Sequence, residues 1–198
     1  MIRWKGAMTA ASLWGLTACM QAEPVQSVAL MGGAVTATTP PGYCVDTRAS
    51  RPGEGFALMA PCATLGVNMP APSALGVTTV QVGPPDSQTV TATEASLRDM
   101  LESEAGAVLL SSDGQPDTVT VLGSQALRNR VTVHFTDEGP PPLPGLQREE
   151  WRAFTDIDGR LVTVAVRGLA TAPLHDGTGA WLLSLVVQGL TAAAIVET

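Results

Sequence analysis

The segment WRAFTDIDGRLVTVAVRG, residues 151–168, constrains the fold more than any other part of the chain. Asp158-Gly159 is a dipeptide typical of two-residue hairpin turns. Such a turn pairs Ile157 with Arg160 and thereby sets the register of both flanking strands. The turn and the burial pattern then agree, so we predict an antiparallel hairpin with one buried face. That face carries Trp151, Ala153, Val162, Val164 and Val166.

Alternation of apolar and polar residues predicts further strands, because successive side chains of a strand point to opposite faces. In Arg130–Thr136, the side chains of Val131, Val133 and Phe135 point to one face and that of His134 points to the polar face. The other strands of this kind are predicted in Ala34–Asp46, which contains a Pro-Pro-Gly break, in Gly55–Cys62 and in Val77–Gly83.

The segment AVLLSSDGQPDTVTVLG, residues 107–123, has a second Asp-Gly dipeptide between two apolar runs. It predicts a strand, a turn at Asp113-Gly114 and a second strand that carries Val119 and Val121 inward. Further along, the prolines of GPPPLPG predict a stiff connector between strands.

An internal helix is predicted from Thr91, where TATE supplies an N-cap threonine and a glutamate, Glu94, three residues later. We expect Gly106 to end this helix. Its apolar face carries Leu97, Leu101 and Ala105.

The segment Gly177–Val196 contains no charged residue and is long enough to cross a membrane. A polar stripe of Ser184, Gln188 and Thr191, with no basic residue after the segment, favours instead a buried helix that packs on the sheet. The predicted class is α+β: an antiparallel sheet of about six or more strands with one internal helix and a C-terminal helix packed on it.

The hairpin DGRLVTVAV followed by a closing helix resembles the end of the PsbP and Mog1 family. That resemblance implies a PsbP/Mog1-like α/β sandwich as an alternative architecture and transfers no site residue. The segments GGAVTATTPPGYCVD and GFALMAPC resemble exported bacterial proteins of unassigned activity, which implies export.

The first eighteen residues have the features of an export signal, with Arg3 and Lys5 ahead of an uncharged run from Gly6 to Ala18. The sequence LTAC, which ends at Cys19, resembles the lipobox of bacterial lipoproteins. The resemblance implies acylation of Cys19 and a lipid anchor in the membrane, and Met20 after it favours the outer membrane. The alternative is an ordinary cleaved signal in which Cys19 is a thiol. We therefore divide the chain into a signal peptide (1–18), a flexible tether (19–27) and one envelope domain (28–198).

Cys44 and Cys62 form an even pair in an exported chain, which predicts a disulfide. Closing this loop stabilises the fold by about 3 kcal/mol on the loop-entropy estimate. A metal or redox pair is the alternative, but the chain has no C-x-x-C sequence.

The full chain carries a net charge of -7, and its arginines are scattered, which argues against a nucleic-acid partner. No nucleophile elbow, phosphate loop or metal-ligand spacing is present, so we predict no catalytic set, metal site or cofactor. His134 is interpreted as a solvated surface histidine, and His175 as the cap of the last helix. Glu149 and Glu150 are interpreted as solubilising a loop.

Three functions stay open. The first is a non-enzymatic interaction or assembly domain that meets another envelope protein while held at the membrane, on the periplasmic side of the cell envelope. The second is a carrier for a small apolar or cationic ligand, in a pocket lined by Trp151, Val164 and Trp181. The third is an enzyme of unrecognised type, which requires a cleft that gathers His134 or His175 with a carboxylate.

Overall fold

The computed structural model describes residues 23–193, in which ten strands and three α-helices form an α+β fold. The helices are α1 (Val90–Leu101), α2 (Glu104–Leu110) and α3 (Asp176–Gln188). The strands are β1 (Ser27–Leu30), β2 (Val35–Thr38), β3 (Tyr43–Val45), β4 (Phe56–Pro61), β5 (Gly76–Val82), β6 (Val119–Ala126), β7 (Arg130–Asp137), β8 (Leu146–Ile157), β9 (Arg160–Leu169) and β10 (Leu190–Ala192).

Seven strands form one antiparallel sheet in the order β3-β4-β5-β9-β8-β7-β6, and β1, β2 and β10 form a smaller sheet. The predicted hairpin is the centre of the large sheet. Its turn has positive φ at Asp158 (49°) and Gly159 (70°), as a type I′ turn requires. Ile157 pairs with Arg160, and the remaining pairs follow the predicted register.

The two faces of the large sheet pack against different elements. The face that carries Trp151, Ala153 and Val164 packs against α3 and the small sheet and forms the main core. On the other face, Val131, Val133 and Phe135 of β7 are buried under α1 and α2, as the alternation of β7 predicted. Helices α1 and α2 cover only the β6-β7-β8 side of that face.

The internal helical region differs from its prediction in both its start and its end. Helix α1 begins at Val90 after Thr89, and Glu94 accepts a hydrogen bond from Asn129 N–H instead of closing a capping box. A second helix, α2, follows, and Gly106 lies inside it, where an added Cβ would come within 2.4 Å of Leu101 Cα. Gly106 therefore allows the two helices to approach closely and does not end the first one.

Two further predicted elements differ from the structure. The segment AVLL, predicted as a strand, forms most of α2. The last helix ends at Gln188, and Leu190–Ala192 then pairs with β2 as a strand, so only part of Gly177–Val196 is helical. Residues 194–198 lie outside the described part of the chain. No helix in the described residues has the length and apolar character needed to span a membrane.

At the amino end, the described chain joins the fold slightly before the predicted domain start. Val45 N–H donates to Val25 O at 2.8 Å, and Thr39 N–H donates to Gln26 O at 2.8 Å. Strand β1 then begins at Ser27. The predicted signal peptide and Cys19 lie outside the described residues.

Cys44 and Cys62 are joined by a disulfide, with their Cα atoms 4.8 Å apart. Cys44 lies in β3, and Cys62 directly follows the neighbouring strand β4. The bond thus joins two adjacent strands across the loop that connects them, as predicted. A disulfide of this kind is typical of proteins exported to an oxidising compartment.

Candidate functional site

Four charged side chains form a connected network on the sheet face that carries α1 and α2. Glu150, Arg167 and Asp137 are almost fully buried, with 2%, 3% and 1% of their surface exposed. Glu150 accepts hydrogen bonds from Arg167 Nε at 2.5 Å and from Arg152 Nε at 2.6 Å. Arg167 Nη2 lies 4.0 Å from Asp137 Oδ2 and donates to Ser112 Oγ at 3.1 Å. Pairing offsets the cost of burying these charges.

The register of the central hairpin brings this network together. Glu150 and Arg167 are direct cross-strand partners, and Arg152 lies two residues further along β8 on the same face. The Arg152 guanidinium also lies 5.2 Å from the centre of the Phe135 ring and donates to the carbonyl oxygens of Leu109 and Leu110. Because these carbonyls end α2, Arg152 attaches the end of that helix to the sheet.

Asp137 is ionised within the network. Its carboxylate accepts hydrogen bonds from Ser112 N–H at 2.7 Å, from the Thr118 hydroxyl at 2.7 Å and from Gly139 N–H at 2.9 Å. Burial opposes ionisation of Asp137, but these hydrogen bonds together outweigh it and lower the pKa of the carboxyl group. Asp137 therefore holds the loop before β6 and the loop after β7 in place.

Beside the network lies an open groove of about 450 Å³, which we call the sheet groove. Its floor is the half of the sheet face that α1 and α2 leave uncovered, on strands β4, β5 and β9. One wall is the connector GPPPLPG, which contributes Pro142 and Leu143. Leu143 is 43% exposed. The floor consists of Phe56, Leu58, Val77, Thr79 and Ala165.

The charges at the end of the sheet groove compensate each other. Glu150, Arg152 and Arg167 line the groove, and Asp137 completes the set as two acids and two arginines. None of them therefore offers a free charge to a ligand. The groove favours an occupant that is apolar and uncharged where it touches the sheet.

A second cluster forms on the opposite sheet face around His134. His134 Nε2 lies 2.6 Å from Glu149 Oε1, and its ring stacks on that of Trp151 with centroids 4.5 Å apart. The His134 side chain is only 19% exposed and that of Glu149 28% exposed. The interpretation of His134 as a solvated surface residue, and of Glu149 as a loop-solubilising residue, is therefore wrong. The structure does bring one histidine and one carboxylate together, which is the first requirement of the enzyme alternative.

Trp151 is enclosed on its other side by helix α3. A Cβ added at Gly179 would come within 2.3 Å of Trp151 Cδ2, so the helix backbone lies directly on the indole ring. Trp151 is 3% exposed and Val164 is fully buried in the same core.

Trp181, by contrast, is 48% exposed on the outer side of α3. It lies beside an uncharged surface that includes Pro40, Pro41 and Pro72. The three residues predicted to line a carrier pocket therefore do not meet: two lie in the core and Trp181 lies outside it.

His175 precedes α3 at the predicted cap position. Its side chain makes no capping hydrogen bond, and its carbonyl oxygen accepts from Thr178 N–H at 2.9 Å. The structure does not bring His175 to His134, which lies on β7.

The buried network is the feature that sequence reasoning missed. Glu150 is predicted as a loop residue, yet it is 2% exposed and pairs with Arg167. The predicted hairpin register, extended by one further residue pair beyond Trp151 and Val166, places these opposite charges directly across from each other. That cross-strand pair is the signal that would have found the site.

No protein-family model and no curated protein matches this chain. Among solved structures, a point mutant of the protein Mog1 has a TM-score of 0.48 and 12% identity, and covers 85% of this chain and 96% of its own. The Saccharomyces cerevisiae Ran-binding protein Mog1p has a TM-score of 0.47 and 12% identity, with coverages of 84% and 94%. Cyanobacterial PsbP (CyanoP) from Synechocystis has a TM-score of 0.46 and 14% identity, with coverages of 90% and 98%.

Proposed function

We propose that this protein is a lipid-anchored cell-envelope protein whose domain binds an apolar segment of another envelope protein in the sheet groove. The observation that carries this proposal is the uncovered half of one sheet face, on β4, β5 and β9. A sheet buries its apolar face against another layer in a stable fold. The partner segment supplies that layer where α1 and α2 do not.

The shape of the sheet groove favours a protein segment over a small carried ligand. Carrier pockets bury most of the surface of their ligand. The sheet groove is open to solvent along the strands, and its wall residue Leu143 is itself partly exposed. An apolar protein segment lying across Leu58 and Val77 covers such a surface more completely than a small molecule does.

The ion pairs within the charged network also favour an uncharged, apolar partner segment. Arg152 and Arg167 are held by Glu150, so an acidic partner gains no free cation in the groove. The prolines of the GPPPLPG connector, which forms one wall of the groove, restrict the backbone of that connector. The connector therefore loses less conformational entropy when a partner binds. The partner segment is therefore uncharged and apolar at the positions that face the sheet.

The lipid anchor is supported by the lipobox that ends at Cys19. The chain joins the fold at Val25, six residues later, and six residues reach at most about 20 Å. The anchored domain therefore stays close to the membrane. Because Thr39 contacts Gln26, the uncharged surface with Pro40, Pro41 and Trp181 lies close to this attachment point. The residue after the cysteine, Met20, favours the outer membrane.

The groove is tested with a photo-crosslinking amino acid placed at Leu58, and at Gln188 on the exposed side of α3 as the matched control. In cells, we expect the Leu58 probe alone to give an adduct of one defined mass. A second copy of the protein should suppress this adduct by competition. The same copy carrying Val77→Arg should not suppress it, provided its circular dichroism and melting temperature are unchanged. Equal adducts from both probe positions, or equal competition by both copies, would contradict the proposal.

The anchor is tested separately by labelling with a fatty acid. We expect the native chain to take up the label and to fractionate with the outer membrane, and we expect Cys19→Ser to do neither. Labelling that is independent of Cys19 would refute the anchor and leave the groove proposal to its own test.

A further inference from the structure

Arg130 is a cation on the sheet face opposite the sheet groove, and no ion pair among the described residues neutralises it. Arg130 is partly buried, and its Nε–H is fully buried with no hydrogen-bond partner, backbone or side chain, among the described residues. A buried polar group without a partner costs free energy, and more so when it is charged.

Three carboxylates that contact β6, β7 or the turn between them are engaged with other partners. Glu149 binds His134, Glu102 accepts a hydrogen bond from the Ser124 hydroxyl, and Glu94 accepts from Asn129 N–H at 3.0 Å. None of these three described carboxylates therefore serves as the anionic partner of Arg130.

Arg130 opens into a groove of about 420 Å³ between α3 and strands β6 and β7, which we call the Arg130 groove. Arg130, Thr132 and His134 point to the same side of β7, so they follow the groove over about 13 Å. Leu183 of α3 supplies an apolar wall. Gly123 lies opposite His134, and a Cβ added there would have no atom within 4 Å. The groove therefore has free space above Gly123 as well as a cation at its other end.

We propose that the Arg130 groove binds a small amphipathic monocarboxylate. Its carboxylate accepts hydrogen bonds from guanidinium N–H groups of Arg130 that face the groove. Its apolar part lies along Leu183 towards Gly123 and His134. A single unpaired arginine balances one negative charge, whereas a phosphate dianion needs further cations or backbone N–H groups.

The test uses octanoate as the probe and octan-1-ol as an uncharged analogue with the same chain. The protein is the full chain carrying Cys19→Ser, which removes the proposed acyl chains. We expect calorimetry to detect octanoate binding, with octan-1-ol binding about tenfold or more weakly. Octanoate should also raise the melting temperature.

Three variants locate the site. Arg130→Gln should weaken octanoate binding about tenfold or more, while Arg130→Lys should recover part of it. Gly123→Leu leaves the cation in place and fills the free space, so it should also abolish binding. Arg128→Gln, at an exposed position two residues from Arg130, is the matched control and should bind as the native chain does.

The stability of the ligand-free variants separates binding from a structural role. Removal of an unpaired buried charge should leave the melting temperature of Arg130→Gln unchanged or raise it. The proposal fails if octanoate does not bind, if octan-1-ol binds equally well, or if Arg130→Gln and Gly123→Leu bind octanoate as tightly as the native chain.

Discussion

Ionisation of Tyr43 should reduce the stability of the domain at alkaline pH. Its side chain is 1% exposed, and its hydroxyl donates to Ala74 O at 2.8 Å and accepts from Gly76 N–H at 3.1 Å. Burial raises the pKa of Tyr43 to about 12, and the hydrogen bond from Gly76 offsets part of that effect. In the unfolded chain the same phenol has a pKa of about 10. Folding therefore favours the neutral phenol.

The free energy of unfolding depends on pH because the pKa of Tyr43 differs between the folded and unfolded states. Below about pH 10, both states hold the proton, and the stabilising contribution is fully present. As the pH rises towards 12, the unfolded state loses its proton first, so the free energy of unfolding falls. A difference of roughly two pKa units corresponds to a loss on the order of 3 kcal/mol. This is a large fraction of the stability of a typical domain.

The chain contains one tyrosine, so the near-ultraviolet absorbance of tyrosinate reports on Tyr43 alone. We expect the native protein to titrate well above the midpoint of the urea-unfolded chain. Tyr43→Phe removes this titration and the associated loss of stability, and lowers stability at neutral pH by about 1–3 kcal/mol through the lost hydrogen bonds. A native midpoint near that of the unfolded chain, with circular dichroism unchanged, would refute the reasoning.

Three further perturbations test the packing, the network and the disulfide. Gly179→Ala should lower the free energy of unfolding by about 1–3 kcal/mol, because the added Cβ overlaps the indole ring of Trp151. The measurement is urea unfolding, and Gly177→Ala is the matched control because its added Cβ meets no atom within 4 Å. Asp137→Asn should be less stable than the native chain at neutral pH. As the pH falls below about 4, the melting temperature of Asp137→Asn should fall less than that of the native chain, because only the native chain has this carboxylate to protonate. An equal fall in both melting temperatures would contradict the lowered pKa. The double change Cys44→Ser and Cys62→Ser should cost about 3 kcal/mol in urea unfolding, and an unchanged midpoint would argue against a structural role for the disulfide.

The central hairpin could be predicted because its information is local. A two-residue turn at Asp158-Gly159 allows one register, and the alternation of apolar residues on either side allows only the same one. The disulfide was predictable for a similar reason, since Cys44 and Cys62 flank one short loop. Both predictions depend on residues close together in the chain.

The helices at the sheet surface could not be placed in the same way. Short apolar runs such as AVLL fit a strand or a helix equally well, and tertiary contacts decide between them. Leu110 is fully buried in the cluster beneath α1 and α2, which favours the helix. The strand at Leu190–Ala192 depends on its pairing with β2, which lies far away in the chain.

The candidate sites were predicted least well because their partners are distant in sequence. Ser112 and Arg167 are 55 residues apart, and His134 and Glu149 are 15 residues apart. The simplest interpretation of a polar residue on a predicted strand is that water surrounds it. The sequence leads to this interpretation for His134, and the structure shows it to be wrong. Only the neighbouring strand and α3 show that His134 is enclosed. The Glu150 and Arg167 pair is the exception, because the hairpin register alone contained it.

The outermost strand β6 contains an irregularity in its pairing with β7, where the register shifts between Val121 and Gly123. Leu122, at the shift, is 52% exposed. A regular eight-residue edge would present unpaired backbone groups to a second sheet, whereas an extra residue twists the edge and interrupts that row. The bulge thus protects the domain from edge-to-edge aggregation. Its deletion would leave a straight edge ready to add strands from neighbouring molecules.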